Sequence, residues 1–290
     1  MRNHLPLPLR RRTLAGLIAL MLSACKPATL LNAMIPTRQL QCFNNIAYGM
    51  SPRQRLDIYR PQSISAQPLP VILFFYGGSW DSGSKSDYLF VAEALVSRGY
   101  LVVIADYRLY PEVKFPALMQ DPALAFSWVK QHIAEYSGNP DRVFLMGHSA
   151  GAQLAAMLSL NAEYLAAVNL QPQQIAGMIG LAGPYDFLPL TSARLKAIFA
   201  PEASEWTSQP IRFVNGHNPP MLLLVGLRDK VVWPRNTFNL ATSIQTHGGP
   251  VQVIDYATYD HVDMVAKLAK PLRGQSTLLD DIVQWMQQPG

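Results

Sequence analysis

The chain has 290 residues, enough for one large domain with a well-buried core, and its make-up, 49% apolar and 15% charged, excludes a disordered or fibrous protein. Four of its five net positive charges come from Arg2, Arg10, Arg11 and Arg12; without residues 1–24, which hold no Asp or Glu, 20 basic side chains face 19 acidic ones. So nearly balanced a remainder gives no basis for a nucleic-acid partner.

The chain opens on "MRNHLPLPLRRR", then the apolar run "TLAGLIALML", then "SAC". A basic start, a short apolar centre and small residues form the pattern of an export signal, and the run is well short of the roughly 20 residues that span a bilayer. Leu22-Ser23-Ala24-Cys25 resembles the lipobox of bacterial lipoproteins. That resemblance implies acylation of Cys25 and anchoring to a membrane by several chains, where one would be marginal. Lys26 stands where aspartate is associated with inner-membrane retention, which points to the outer membrane in a cell that has one. The expected organisation is a signal peptide over 1–24, a tether over 25–39 and a folded domain over 40–290, in an exported, lipid-anchored protein. Arg11-Arg12 suits twin-arginine export and an ordinary basic n-region equally well. With Cys25 acylated, Cys42 lacks a partner, so no disulfide is expected and Cys42 reads as a small buried hydrophobe.

After a stretch without steady periodicity to about Gln39, "FNNIAYG" and "QRLDIYRP" read as two short strands joined around Ser51-Pro52 and paired antiparallel at a sheet edge. Apolar strands then alternate with helical segments: "VILFFY" with "YLFVAEALVSRG", "YLVVIADY" with "FPALMQDPALAFSWVKQHIAEY", and "RVFLMG" with "AGAQLAAMLSL". "IAGMIGLAG", "MLLLVG" and "VQVIDYA" are later strands, with a helix over about 236–246 between the last two, and "TLLDDIVQWMQQ" is a closing helix. Continuously apolar strands alternating with helices predict a mostly parallel sheet covered on both faces. About forty residues rich in Pro, Ser and aromatic groups separate the strands at 175–182 and 221–225, a length that predicts an insertion or lid.

Gly147-His148-Ser149-Ala150-Gly151 follows the strand "RVFLM" and opens a helix rich in small residues. A serine on a sharp strand-to-helix turn needs glycine two places to either side, and the turn lifts its hydroxyl above the sheet. Ser149 is therefore the expected nucleophile, which requires a histidine base and a carboxylate to fix that base's tautomer. Among six histidines, His4 lies in the leader and His132 within a helix, while His217 and His247 precede strands, at the wrong end of a parallel sheet for catalysis. His148 is the motif's variable residue, and its side chain should leave the turn in another direction than that of Ser149. His261, after the last strand, is the expected base. Asp229, just past "MLLLVG", is the expected acid, because Asp260 and Asp263 flank the histidine too closely to reach its far ring nitrogen.

The order Ser149, Asp229, His261 is that of the α/β-hydrolase fold. From about residue 45 onward, "YGGSW", "ADYRLYPEVKFPALMQD", "DRVFLMGHSAGAQLA", "GLRDKVV" and "YDHVD" resemble the small esterases of the α/β-hydrolase-3, hormone-sensitive-lipase-like and BD-FAE group. The resemblance implies an eight-stranded, mostly parallel sheet and a serine carboxylic-ester hydrolase acting through an acyl-enzyme on short-chain, aryl or polymer-borne esters. An aryl formamidase of the kynurenine formamidase type is an alternative, and so is a non-catalytic binding lipoprotein. It also implies an oxyanion hole formed by the N–H groups of Gly78, Ser79 and Ala150. The chain departs from the family at Tyr76, where a histidine braces the loop, and at Ala152-Gln153. Asp106, Arg108, Glu112, Asp121 and Trp128 are expected to be structural. No metal-ligand spacing, GxGxxG or Walker-type loop is present, so no metal and no cofactor is expected.

Overall fold

In a computed structural model, residues 31–63, 67–199 and 205–288 are described. Eight strands form one sheet in the order β1-β2-β4-β3-β5-β6-β7-β8, made of β1 Leu40–Ala47, β2 Arg55–Pro61, β3 Leu69–Phe75, β4 Leu101–Ala105, β5 Gly138–His148, β6 Gly177–Leu181, β7 Met221–Gly226 and β8 Val251–Tyr256. β2 runs antiparallel to β1 and β4, and every other pairing is parallel. This is the α/β-hydrolase fold expected from the sequence.

The apolar runs become the central strands because both of their faces are covered. Val71–Phe75, Leu101–Ala105 and Met221–Gly226 are buried throughout. The main covering helices are α1 Leu89–Val96, α2 Gln120–His132, α3 Ala150–Leu160, α4 Ala162–Ala166, α5 Ala193–Phe199 and α6 Arg235–Thr246. All eleven residues of α3 are buried, and its small side chains let it lie close against the sheet. After β8 come α7 Asp263–Ala266, α8 Lys270–Arg273 and α9 Leu278–Met286. α9 buries Leu278, Ile282 and Trp285, as the closing pattern predicts.

The predicted insertion between β6 and β7 folds into α5 and two short 3-10 turns at Glu205–Ser208 and Pro210–Phe213. Two expectations change. The described part of the predicted tether is docked on the domain: Ile35 is buried, Asn32 Nδ2 donates to the Ser86 carbonyl at 2.7 Å, and the Phe90 N–H donates to Asn32 Oδ1 at 3.1 Å. Packed structure thus begins upstream of residue 40. Cys42 is exposed, not buried. It lies on edge strand β1, where Phe43 turns to Tyr136, ring centroids 4.9 Å apart, and side chains alternate across a strand. The expected signal peptide and the expected lipidation site Cys25 lie outside the described residues.

Candidate active site

Four parallel strands deliver the site from their carboxyl ends. β5 ends at His148, and Ser149 turns the chain into α3 with φ 54° and ψ −123°, a backbone state that L-residues rarely adopt. The flanking glycines permit this. A Cβ on Gly151 would lie 2.0 Å from the Phe75 carbonyl oxygen, and one on Gly147 would lie 2.3 Å from the Gly151 backbone. The Ser149 N–H donates to the Leu181 carbonyl at 2.9 Å, fixing the turn to β6.

β7 and β8 bring the other two side chains. His261 Nε2 lies 2.9 Å from Ser149 Oγ, and its Nδ1 lies 2.7 Å from Asp229 Oδ2. Asp229 Oδ1 accepts the N–H groups of Val231 and Val232, each at 2.8 Å, so the carboxylate is buried, oriented and fully engaged. Asp260 and Asp263 do not compete for the ring. They bond to backbone N–H groups of their own turn, Asp260 Oδ1 taking those of Val262 and Asp263.

The segment after β3 folds over Ser149. Gly78 has φ 133°, and a Cβ there would lie 2.1 Å from the Ser82 carbonyl oxygen, so glycine is required. Among the described residues the N–H groups of Ser79 and Ala150 donate no hydrogen bond. Ala150 is the first residue of α3, where N–H groups lack intrahelical acceptors and the helix field favours negative charge. The set can hold a developing oxyanion.

Tyr76 is fully buried, and its hydroxyl donates to Asp106 Oδ1 at 2.6 Å and accepts from Arg53 Nη2 at 2.8 Å. Arg53 also donates to the Gly83 carbonyl at 3.0 Å, and Tyr107 Oη donates to the Tyr76 carbonyl at 2.8 Å. A tyrosine therefore fastens this loop. Burial, reinforced by Tyr107 and Asp106, pushes its phenol well above the ordinary range, so it stays a donor. Asp121 holds Arg108 through paired contacts of 2.7–3.1 Å, a structural role as expected.

Two contributors were not legible in the motif. The His148 ring comes to lie 4.8 Å from the His261 ring, with Nε2 3.0 Å from the His261 carbonyl oxygen. Burial, together with the neighbouring His261, lowers its pKa to about 3, so it is neutral and donates. Gln153 accepts from Trp80 Nε1 at 3.1 Å and donates to the Ser208 carbonyl at 3.0 Å, tying the loop after β3 to the insertion. The departure at Ala152-Gln153 was its only trace in the sequence.

Beside Ser149 lies a pocket of about 410 Å³, walled by Trp80, Phe187, Pro189, Leu195, Val231 and Trp233. A larger hollow of about 800 Å³ opens at the opposite ends of the strands, between Arg142, Phe144, Pro220, Pro250 and Trp285, with no nucleophile in its lining. Among the described residues no group of three His, Cys, Asp or Glu could hold a metal, and no helix is long and apolar enough to cross a membrane.

The model of the BD-FAE family matches residues 56–244. An isoprenylcysteine alpha-carbonyl methylesterase of Arabidopsis thaliana is 30% identical over 265 residues, 84% of this chain and 61% of that protein. Kynurenine formamidase of Danio rerio is 26% identical over 234 residues, covering 79% of this chain and 77% of its own. The apo form of Thermogutta terrifontis esterase 2 superposes with a TM-score of 0.71 at 23% identity, over 88% of this chain and 98% of that one, a likeness of fold. The chain spans 54% and 61% of the length of two plant methylesterases that it matches.

Proposed function

We propose, from the premise that the chain belongs to the BD-FAE family, that it is a serine carboxylic-ester hydrolase working through an acyl-enzyme on short-chain or aryl esters. The observation that carries this is His261 bridging Ser149 Oγ at 2.9 Å and Asp229 Oδ2 at 2.7 Å. In this reading Ser149 attacks the acyl carbonyl while His261 Nε2 takes its proton, and Asp229 holds the proton on Nδ1 and balances the imidazolium. The oxygen that becomes negative is received by the N–H groups of Gly78, Ser79 and Ala150. One such donor contributes roughly 3–4 kcal/mol to the transition state. His261 then returns the proton to the departing alkoxide, and water resolves the acyl-enzyme by the same path. Every step is proton transfer and acyl transfer, for which this chain's own groups suffice. Ser149→Ala should abolish turnover of p-nitrophenyl butyrate, and labelling by a fluorophosphonate, while the protein still folds. Retained turnover would defeat the assignment.

Hydrolysis of an aryl formamide is a second reading, favoured by the kynurenine formamidase of Danio rerio among the relatives. The same nucleophile would attack a formyl carbon, and rates on an N-formyl arylamine and its O-formyl analogue separate the two.

For placement in the cell, the lipobox-like quartet Leu22–Cys25 supports export, with lipid on Cys25 as the membrane anchor. Cys25→Ser should remove labelling by a radioactive fatty acid; label retained in that variant would reject the anchor.

A further inference from the structure

The charges at the pocket mouth are of one sign. Its lining includes two charged side chains, Arg194 and Arg235, and no carboxylate. Arg194 pairs with the buried Asp81, which offsets its charge. Arg235 makes no ion pair among the described residues and stands as the first residue of the twelve-residue helix α6. Asp186, in the loop after β6, accepts from Asn239 Nδ2 at 2.7 Å, pairs with no cation among the described residues and does not line the pocket.

The segment beside the pocket adds cations. The segment Leu227–Arg235, "LRDKVVWPR", carries Arg228, Lys230 and Arg235, all exposed and none ion-paired among the described residues. Its one acid, Asp229, is buried and committed to His261. Flanking His261, Asp260 and Asp263 keep their charges but accept N–H groups of their own turn, and neither lines the pocket. Between these cations the walls are apolar or aromatic, with Trp233 64% exposed and Val231 70% exposed. Uncompensated cations on so apolar a surface are what an amphiphilic anion would meet, and like-signed charges around a cleft also speed capture of the opposite sign.

We propose, resting on the hydrolase reading above, that the site selects anionic esters: substrates with an aliphatic or aromatic body and a carboxylate beyond the scissile bond, met by Arg235 and drawn in by Arg228 and Lys230. The carboxylate belongs to the acyl part or to the alcohol part, and matched pairs distinguish these. On the acyl side the pair is mono-p-nitrophenyl adipate against p-nitrophenyl hexanoate. On the alcohol side it is p-acetoxybenzoate against p-acetoxybenzamide, each corrected for its hydroxide-catalysed rate.

In the full-length protein at low salt, kcat/KM should favour the anion by about three- to tenfold in one of the pairs, and the preference should shrink as ionic strength rises. Arg235→Gln should lower that ratio by at least about threefold, largely through KM, and Arg235→Lys should restore part of it. A ratio at or below one in both pairs would overturn the proposal, as would a ratio that Arg235→Gln leaves unchanged in a protein with wild-type thermal midpoint. Turnover of the neutral esters without selectivity would overturn this proposal alone. No turnover of any of the four would overturn the hydrolase reading as well.

Discussion

Tyr76 Oη donates to Asp106 Oδ1 at 2.6 Å, and the same carboxylate oxygen accepts the Lys85 N–H at 2.8 Å. Through Arg53, which reaches both Tyr76 Oη and the Gly83 carbonyl, one buried cluster holds the two ends of the loop 76–83. The loop's middle, Gly78 to Trp80, has positive φ throughout and needs such fastening. The family's histidine has been replaced here by a longer side chain whose single hydroxyl serves as both donor and acceptor.

Tyr76→Phe should therefore do more than trim a buried strand end. The ring keeps its stacking on Tyr107 and Tyr88, and Asp106 keeps the Lys85 N–H, so the loss is two hydrogen bonds and not a stranded charge. A stability decrease of about 1–3 kcal/mol is expected. The loosened loop should lower kcat on p-nitrophenyl esters by about three- to tenfold, with KM little changed. Thermal unfolding and steady-state rates test this together; an unchanged kcat would reduce Tyr76 to packing.

His148 gives a pH dependence of opposite sign to a salt-bridged histidine. An unfolded histidine takes up a proton near pH 6.5, but in the fold burial, reinforced by His261, holds this one at about 3. Above about pH 6.5 both states are neutral and its contribution is full. As pH falls toward 3 the unfolded state binds more protons, so stability declines, on the order of 1 kcal/mol per pH unit from this group. His148→Gln, which retains an N–H for the His261 carbonyl and cannot titrate, should flatten the dependence. Urea unfolding free energies at several pH values between those limits decide it, and a slope equal to wild type would reject the assignment.

What was legible in the sequence was what each residue carries on its own segment. Ser149 sits between two glycines after an apolar strand, and Asp229 and His261 follow strands in the order that the fold requires. The sheet was legible because buried parallel strands are apolar along their whole length. What escaped depends on distant side chains. Arg53 reaches Tyr76 from the turn before β2, Gln153 reaches Ser208 across 55 positions, and His148 meets the carbonyl of a residue 113 positions away. No local period encodes such meetings. Cys42 was misplaced for a related reason, since a cysteine's small apolar side chain favours burial in general but a strand's edge position decides it. The docking of residues 31–39 escaped because Asn32 and Ile35 show their partners only once α1 is in place.

The environment of Asp229 makes Asp229→Asn an informative change. Oδ1 takes two backbone N–H groups, from Val231 and Val232 at 2.8 Å each, and Oδ2 faces His261 Nδ1 at 2.7 Å. Those two donors would select the amide oxygen of an asparagine and turn its NH₂ toward the imidazole. The NH₂ donates, so Nδ1 would become an acceptor and the ring proton would move to Nε2. Nε2 would then point an N–H at Ser149 Oγ, where a lone pair is needed. The fold should survive, because shape and both backbone bonds are kept, while kcat should fall by about 10⁴-fold as it does when a triad histidine is held in the wrong tautomer. The expected result is a variant with near-wild-type unfolding and residual activity that rises with pH as hydroxide replaces the lost base. A loss of less than about tenfold would mean that Asp229 does not set the tautomer of His261.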